Sequence, residues 1–159
     1  IDLTNPATPA TTDCTETYLL WQHLNDAGLV EGKYSARTTT TGSCVHTPGT
    51  NTPIGTGDGT TFTVYSPAYN ADSVDTDFFT GYYDTILTFG KAASTGFPLT
   101  AGFTAEDMWS MDKKLDDGFP QTGNMRSYES VTNCYSGTDY NLSDRRPTCV
   151  GIFGVTTIR

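Results

Sequence analysis

At 159 residues the chain fits one domain with a single core, and it is low both in hydrophobic residues, at 36%, and in charged ones, at 17%. Its formal net charge is −9, with Lys and Arg scattered singly apart from Lys113-Lys114 and Arg145-Arg146. Such a surface repels a phosphate backbone, which excludes nucleic acid as a partner of this domain alone.

Residues 1–12 are rich in Thr, Pro and Ala and read as a linker-like lead-in, with 13–159 forming one globular domain. The opening shows no basic-then-apolar signal pattern, and no window approaches the roughly 20 apolar residues of a membrane span. For an exported protein this implies an upstream segment that has been removed. In "DCTETYLLWQHLNDAG" Asp13 and Glu16 match a capping box, Leu20, Leu24 and Ala27 recur at helical spacing, Trp21 widens the stripe, and Gly28 is a C-terminal stop. Residues 34–59 have little periodicity and read as a long loop. "TFTVYS" at 61–66 and "YYDTILTF" at 82–89 read as strands, joined by the acidic connector "NADSVDTD".

The second helix lies in "TAEDMWSMDKKLDDG". Thr104 caps it with Asp107, the stripe Met108, Met111, Leu115 is expected to be buried, Gly118 ends it and Pro120 forbids continuation. "RSYESVTN" and "CVGIFGVTTI" read as two further strands, the second central because it is the most apolar. Two short helices and about four strands, with little room for parallel crossovers, predict an α+β fold with an antiparallel sheet.

The four cysteines, Cys14, Cys44, Cys134 and Cys149, form no C-x-x-C pair and match no common zinc spacing. Their even number in a polar, Lys-poor chain points to disulfides and an oxidising compartment, against the alternative of buried free thiols. Of three possible pairings, Cys14–Cys44 with Cys134–Cys149 is favoured, since both bonds close local loops.

Candidate chemistry is thin. There is no G-x-S-x-G elbow. His23 sits on a helix beside Trp21 and Leu24 and is expected to be half-buried packing, while His46 lies in a loop and is expected to be solvated. Asp116 and Asp117 are adjacent on a helix, pointing about 100° apart, and cannot share one substrate proton. Asp112 and Asp116 share a face at i, i+4, expected to be polar and solvated with no apolar wall to raise a pKa. Hard cations want several loop oxygens, and Asn70, Asp72, Asp75 and Asp77, with Asp58 elsewhere, are calcium candidates, though none matches the EF-hand spacing. Calcium is the one cofactor left open; otherwise none is expected. Asn141-Leu142-Ser143 is a glycosylation sequon. The residues spell no active site, and no enzyme is expected.

Two stretches resemble segments of type IV pilin-like proteins. "LLWQHLNDAGLVEGKY" is similar to the form W-x-H-L followed by A-G-L-[IV]-x-G-x-Y, carried here by Trp21, His23, Gly28 and Gly32. "AEDMWSMDKKLDDGFPQTGNMRS" is similar to a second form, carried by Asp112, Lys114, Asp116, Asp117, Gly118, Pro120 and Gly123. Cys134 and Cys149 also resemble the disulfide-bounded loop that closes many pilins. The resemblance spans roughly Leu19 to Cys149 and implies a pilin-like head, a four-stranded antiparallel sheet with a disulfide-closed C-terminal loop. It implies a major or minor structural subunit of a bacterial surface filament, extracellular, or periplasmic for the alternative of a type II secretion pseudopilin. Such subunits self-associate through a long N-terminal apolar helix, which also holds them in the membrane before assembly, and they meet other pilus assembly proteins. The residues given contain neither that helix nor its processing motif, so this segment is expected to be monomeric by itself. Asp116-Asp117-Gly118 would then be a helix end and a fixed turn, with the two carboxylates bonding that turn. The competing class is a secreted adhesin or carbohydrate-binding module, with Tyr82, Tyr83 and Tyr135 as sugar-stacking candidates.

Overall fold

A computed structural model describes residues 15–35, 45–65, 85–93, 96–128 and 132–155. The expected Cys14–Cys44 pairing, the acidic connector with Asp72, Asp75 and Asp77, Tyr82, Tyr83 and the lead-in 1–12 lie outside the described residues.

The chain is α+β. Helix α1 (Thr15–Asp26) is followed by strands β1 (Thr60–Tyr65) and β2 (Thr85–Lys91), and helix α2 (Ala105–Leu115) by β3 (Met125–Ser127), β4 (Tyr135–Ser136), β5 (Asp139–Tyr140) and β6 (Gly151–Val155). Four strands form one antiparallel sheet in the order β1-β2-β6-β3, and β4 with β5 forms a separate small hairpin. The most apolar strand, β6, is central, as its composition predicts, because both its edges and both its faces are covered. "RSYESVTN" contributes only a short strand, since regular pairing ends at Ser127, although the Tyr128 amide still donates to the Val150 carbonyl at 3.0 Å.

Register puts different chemistry on the two sheet faces. Val64, Leu87, Phe153 and Met125 form one row across the strands, with Phe62 and Phe89 in the next row on that face. Phe89 and Met125 pack there with Phe103, Ala105 and Met108, so α2 covers this face and a single apolar core fills the gap. The opposite face carries Thr63, Thr88 and Ile152 in one row, with Ile86 beside them.

α1 ends as its sequence predicts. Gly28 has φ +72°, its amide donates to Asn25 and that of Leu29 to Leu24, a Schellman closure that a residue without Cβ adopts at no steric cost. Its packing differs from the expected stripe. Tyr18 and Trp21 are the buried residues, Leu20 and Leu24 are half-buried and Ala27 is exposed. The helix is rotated toward its two aromatic rings, which have more area to bury. That rotation corrects the reading of His23, which is exposed in the last turn.

His46 corrects the sequence reading in the other direction. It is 4% exposed, with Nδ1 2.8 Å from the Gly96 carbonyl, Nε2 2.9 Å from the Thr63 hydroxyl, and the Tyr18 ring edge-on at 5.3 Å. The Tyr18 hydroxyl donates to the Val45 carbonyl, and burial pushes its pKa up to about 12. A loop residue is buried here because α1 closes over it.

Candidate functional site

Helix α2 starts on a complete capping box. The Thr104 hydroxyl accepts from the Asp107 amide and the Asp107 carboxylate accepts from the Thr104 amide, each at 3.1 Å. From there the buried stripe runs Ala105, Met108, Asp112, at i, i+3, i+7. This corrects two expectations. Leu115, placed on the buried stripe by its spacing, is 65% exposed: it is the last helical residue and lies to one side of the stripe. Asp112, placed on a solvated face, is fully buried.

The buried carboxylate is satisfied on both oxygens. Asp112 Oδ2 accepts the Tyr140 hydroxyl at 2.7 Å, and Oδ1 accepts the Gly118 amide at 3.0 Å. Burial raises its pKa, the two hydrogen bonds pull it down, and the charges of Asp117 and Asp116 raise it further. Burial also pushes the Tyr140 phenol up, helped by the acceptor it holds and by the three nearby negative charges.

Asp116, half-buried, and Asp117, exposed, follow the helix and turn their carboxylates onto the chain that comes next. Asp116 Oδ2 accepts the amides of Asn124 and, at 3.0 Å, Met125. Asp117 Oδ1 accepts the Phe119 amide at 2.9 Å, and its Oδ2 accepts the Thr122 hydroxyl at 2.6 Å. Both carboxylates thus bond the following turn. Two glycines allow it: Gly118 has φ +81°, and Gly123 has φ +68° with its bare Cα against Asp116, where a Cβ would fall 1.8 Å from Oδ2. Pro120 is buried and its carbonyl accepts the Ser127 amide at 2.8 Å. Lys114 is exposed, and Lys113 lies 4.7 Å from the Trp109 ring centroid.

These bonds close the sheet. Asn124 bonds to β6 and Tyr128 to Val150 just before it, both through their backbones, whereas the amides of Met125 and Ser127 point away from that strand. Asp116 takes the first outward amide and Pro120 the second. A sheet edge with unpaired donors invites pairing with another chain; here a side chain and a turn occupy those donors.

On the far side, Tyr140 belongs to the loop bounded by the Cys134–Cys149 disulfide. The β4–β5 hairpin, with Tyr135 opposite Tyr140, stands inside that loop. Cys149 exchanges backbone hydrogen bonds with Phe103, just before α2, and Arg145 bonds Glu106 in the first turn of α2. The loop is therefore attached at both ends of the helix, by Arg145 at the start and Tyr140 near the end.

In the first resembling segment, Trp21 is buried and Asn25 ties the loop after α1 by donating to the carbonyls of Val30 and Gly32. Gly32 has φ +131°, and the Tyr34 ring lies where its Cβ would be.

One carboxylate oxygen from each of Asp112, Asp116 and Asp117 lies within 4.8 Å of the other two. Spacing alone would fit a hard cation. Five of their six oxygens already accept N–H or O–H bonds from the protein, however, and three carboxylates alone fall short of the six to eight oxygen ligands of calcium. These carboxylates act as acceptors that build a turn. Asp58, the other calcium candidate within the described residues, lies 3.6 Å from the Lys91 ammonium. Tyr135, a sugar-stacking candidate, is half-buried and packs against the α2 core.

Sequence reasoning missed Tyr140 and its role. A signal was present: Asp112 follows Met108 by four residues, and a carboxylate on an apolar stripe demands a buried donor.

No family model, no curated protein and no solved structure matches this chain. No helix among the described residues is long and apolar enough to cross a membrane.

Proposed function

We propose that this chain is the soluble head of a structural subunit in a type IV pilus-like filament and has no catalytic role. The observation that carries the reading is the Asp112–Asp116–Asp117 turn. Its carboxylates are engaged by backbone and hydroxyl donors that close the β3 edge and hold the disulfide-bounded loop. That is a packing device, and it falls in the segment that resembles the pilin-like form.

The antiparallel sheet with one helix across it, and the disulfide-bounded loop fastened to that helix, support the same reading. A filament exposes its heads to proteases and to one another, and a blocked sheet edge with a cross-linked loop resists both. The acidic surface fits a shell that repels copies except where another element drives assembly.

The test is the gene sequence upstream of Ile1. A short basic leader ending in Gly, followed by about 20 apolar residues with a Glu near their start, supports the filament subunit. An ordinary cleaved signal peptide directly before Ile1 overturns it in favour of a freely secreted binding module.

A further inference from the structure

We propose that Asn141 is an acceptor site for an N-linked glycan and that the folded loop presents it for modification. The inference does not depend on the filament reading; it needs only export to a compartment where a glycosyl donor is present. Asn141 directly follows β5, and Asn141-Leu142-Ser143 has the residue types that N-glycosylation requires. In the structure the two polar side chains of this sequence meet. The Ser143 hydroxyl donates to Asn141 Oδ1 at 2.6 Å. Asn141 Nδ2 has no hydrogen-bond partner among the described residues, whereas Asn25 and Asn51 each use Nδ2 to hold a backbone carbonyl. Asn141 is half-buried, and Leu142 and Ser143 beside it are exposed.

The backbone holds that presentation fixed. The Asn141 amide donates to the Cys134 carbonyl at 2.9 Å, and its own carbonyl accepts the Asp144 amide at 3.0 Å, which closes a turn over 141–144. Asp144 is paired with Arg146 at 2.7 Å, so the far end of the turn is also fastened. Asn141 thus keeps its amide nitrogen out of the hydrogen bonding among the described residues while its amide oxygen already accepts the Ser143 hydroxyl.

The donor would be a polyprenyl-pyrophosphate-linked oligosaccharide, held by a membrane-bound transferase. As one amide proton leaves, the electron pair of that Asn141 Nδ2–H bond forms the new bond to the sugar's anomeric carbon. The bond from that carbon to the pyrophosphate oxygen breaks, its electron pair leaving on the pyrophosphate, and the amide proton passes to a base of the transferase. Nothing is oxidised or reduced. A hydroxyl donating to the amide oxygen draws charge toward oxygen and makes the N–H more acidic, which eases loss of that proton as the bond forms.

The experiment incubates the folded, oxidised protein with membranes bearing an oligosaccharyltransferase and a radiolabelled polyprenyl-pyrophosphate oligosaccharide. The modified peptide is then located by mass spectrometry. The expected result is one glycan, on the peptide containing Asn141, lost in Asn141→Gln and in Ser143→Ala and retained in Ser143→Thr. Circular dichroism and the oxidised mass check that each variant folds. Three results overturn the proposal: no label on the folded protein, undiminished label in Asn141→Gln, or label only on the reduced and carboxymethylated chain.

Discussion

The Tyr140 hydroxyl donates to Asp112 Oδ2 across 2.7 Å in the buried space between α2 and the disulfide-bounded loop. The two residues are 28 positions apart, and the bond joins the helix end, the turn that blocks β3 and the β4–β5 hairpin. Removing one partner strands the other without water. Asp112→Ala leaves both the Tyr140 hydroxyl and the Gly118 amide unpaired and is expected to cost about 2–4 kcal/mol. Tyr140→Phe should cost about 1–3 kcal/mol, and a double-mutant cycle by urea denaturation should return a coupling of about 1–2 kcal/mol. Additive single-mutant losses would mean that the bond contributes nothing.

The same carboxyl makes stability depend on pH in an unusual direction. Its pKa is raised from the ordinary 3.8, so protonated Asp112 favours the folded state. Its contribution is full below about 4 and is lost as pH rises through the raised folded value. Half-buried Asp144, lowered to about 2 by Arg146, acts in the opposite sense: its contribution is present above 3.8 and fades as pH falls toward 2. Urea midpoints of the native protein and Asp112→Asn, compared from pH 3 to pH 8, isolate the first effect. The native-minus-variant difference should decline with rising pH and then level off. A flat difference would sink the assignment.

Gly123 is held open by Asp116. A methyl there meets Oδ2 at 1.8 Å on a backbone with φ +68°. Gly123→Ala is expected to lose at least about 2 kcal/mol, from left-handed strain together with displacement of the edge-blocking carboxylate. Chemical denaturation gives the loss. Size-exclusion chromatography should also show more association than for an equally destabilised core variant, because the Met125 amide is freed at the β3 edge.

The Cys134–Cys149 bond closes a loop with a sequence separation of 15. Replacing both cysteines by serine should lower stability by about 3 kcal/mol on the loop-entropy account. Because the loop also carries Tyr140, the Asp112–Tyr140 coupling should weaken in that background. The double-mutant cycle repeated there is the measurement, and an unchanged coupling would show that the loop holds its place without the bond.

Thr88 lies across from Thr63 on the sheet, buried, with its hydroxyl unpartnered among the described residues. Thr88→Val removes that hydroxyl at nearly constant volume and should stabilise the fold by about 1 kcal/mol. A thermal melt checks the sign. Thr63→Val, which takes a partner from His46 Nε2, should instead destabilise.

Local sequence determined the parts whose energetics are local. The capping box at Thr104, the Schellman stop at Gly28 and the alternation in β1 and β2 were legible because each depends on neighbours within a few residues. The central place of β6 was legible from its apolar run alone. The bonding of Asp116 and Asp117 to the following turn was also within reach, since acceptor and donor are close in sequence. The tertiary structure decided what depended on distant partners. Asp112 is buried because Tyr140 is brought over it, and His46 because α1 and β1 enclose it. His23 reaches solvent because α1 turns a different stripe inward than simple spacing suggests, and Leu115 because α2 ends there. Burial is set by what packs against a residue, and a polar side chain is buried only where the fold supplies its hydrogen-bond partner.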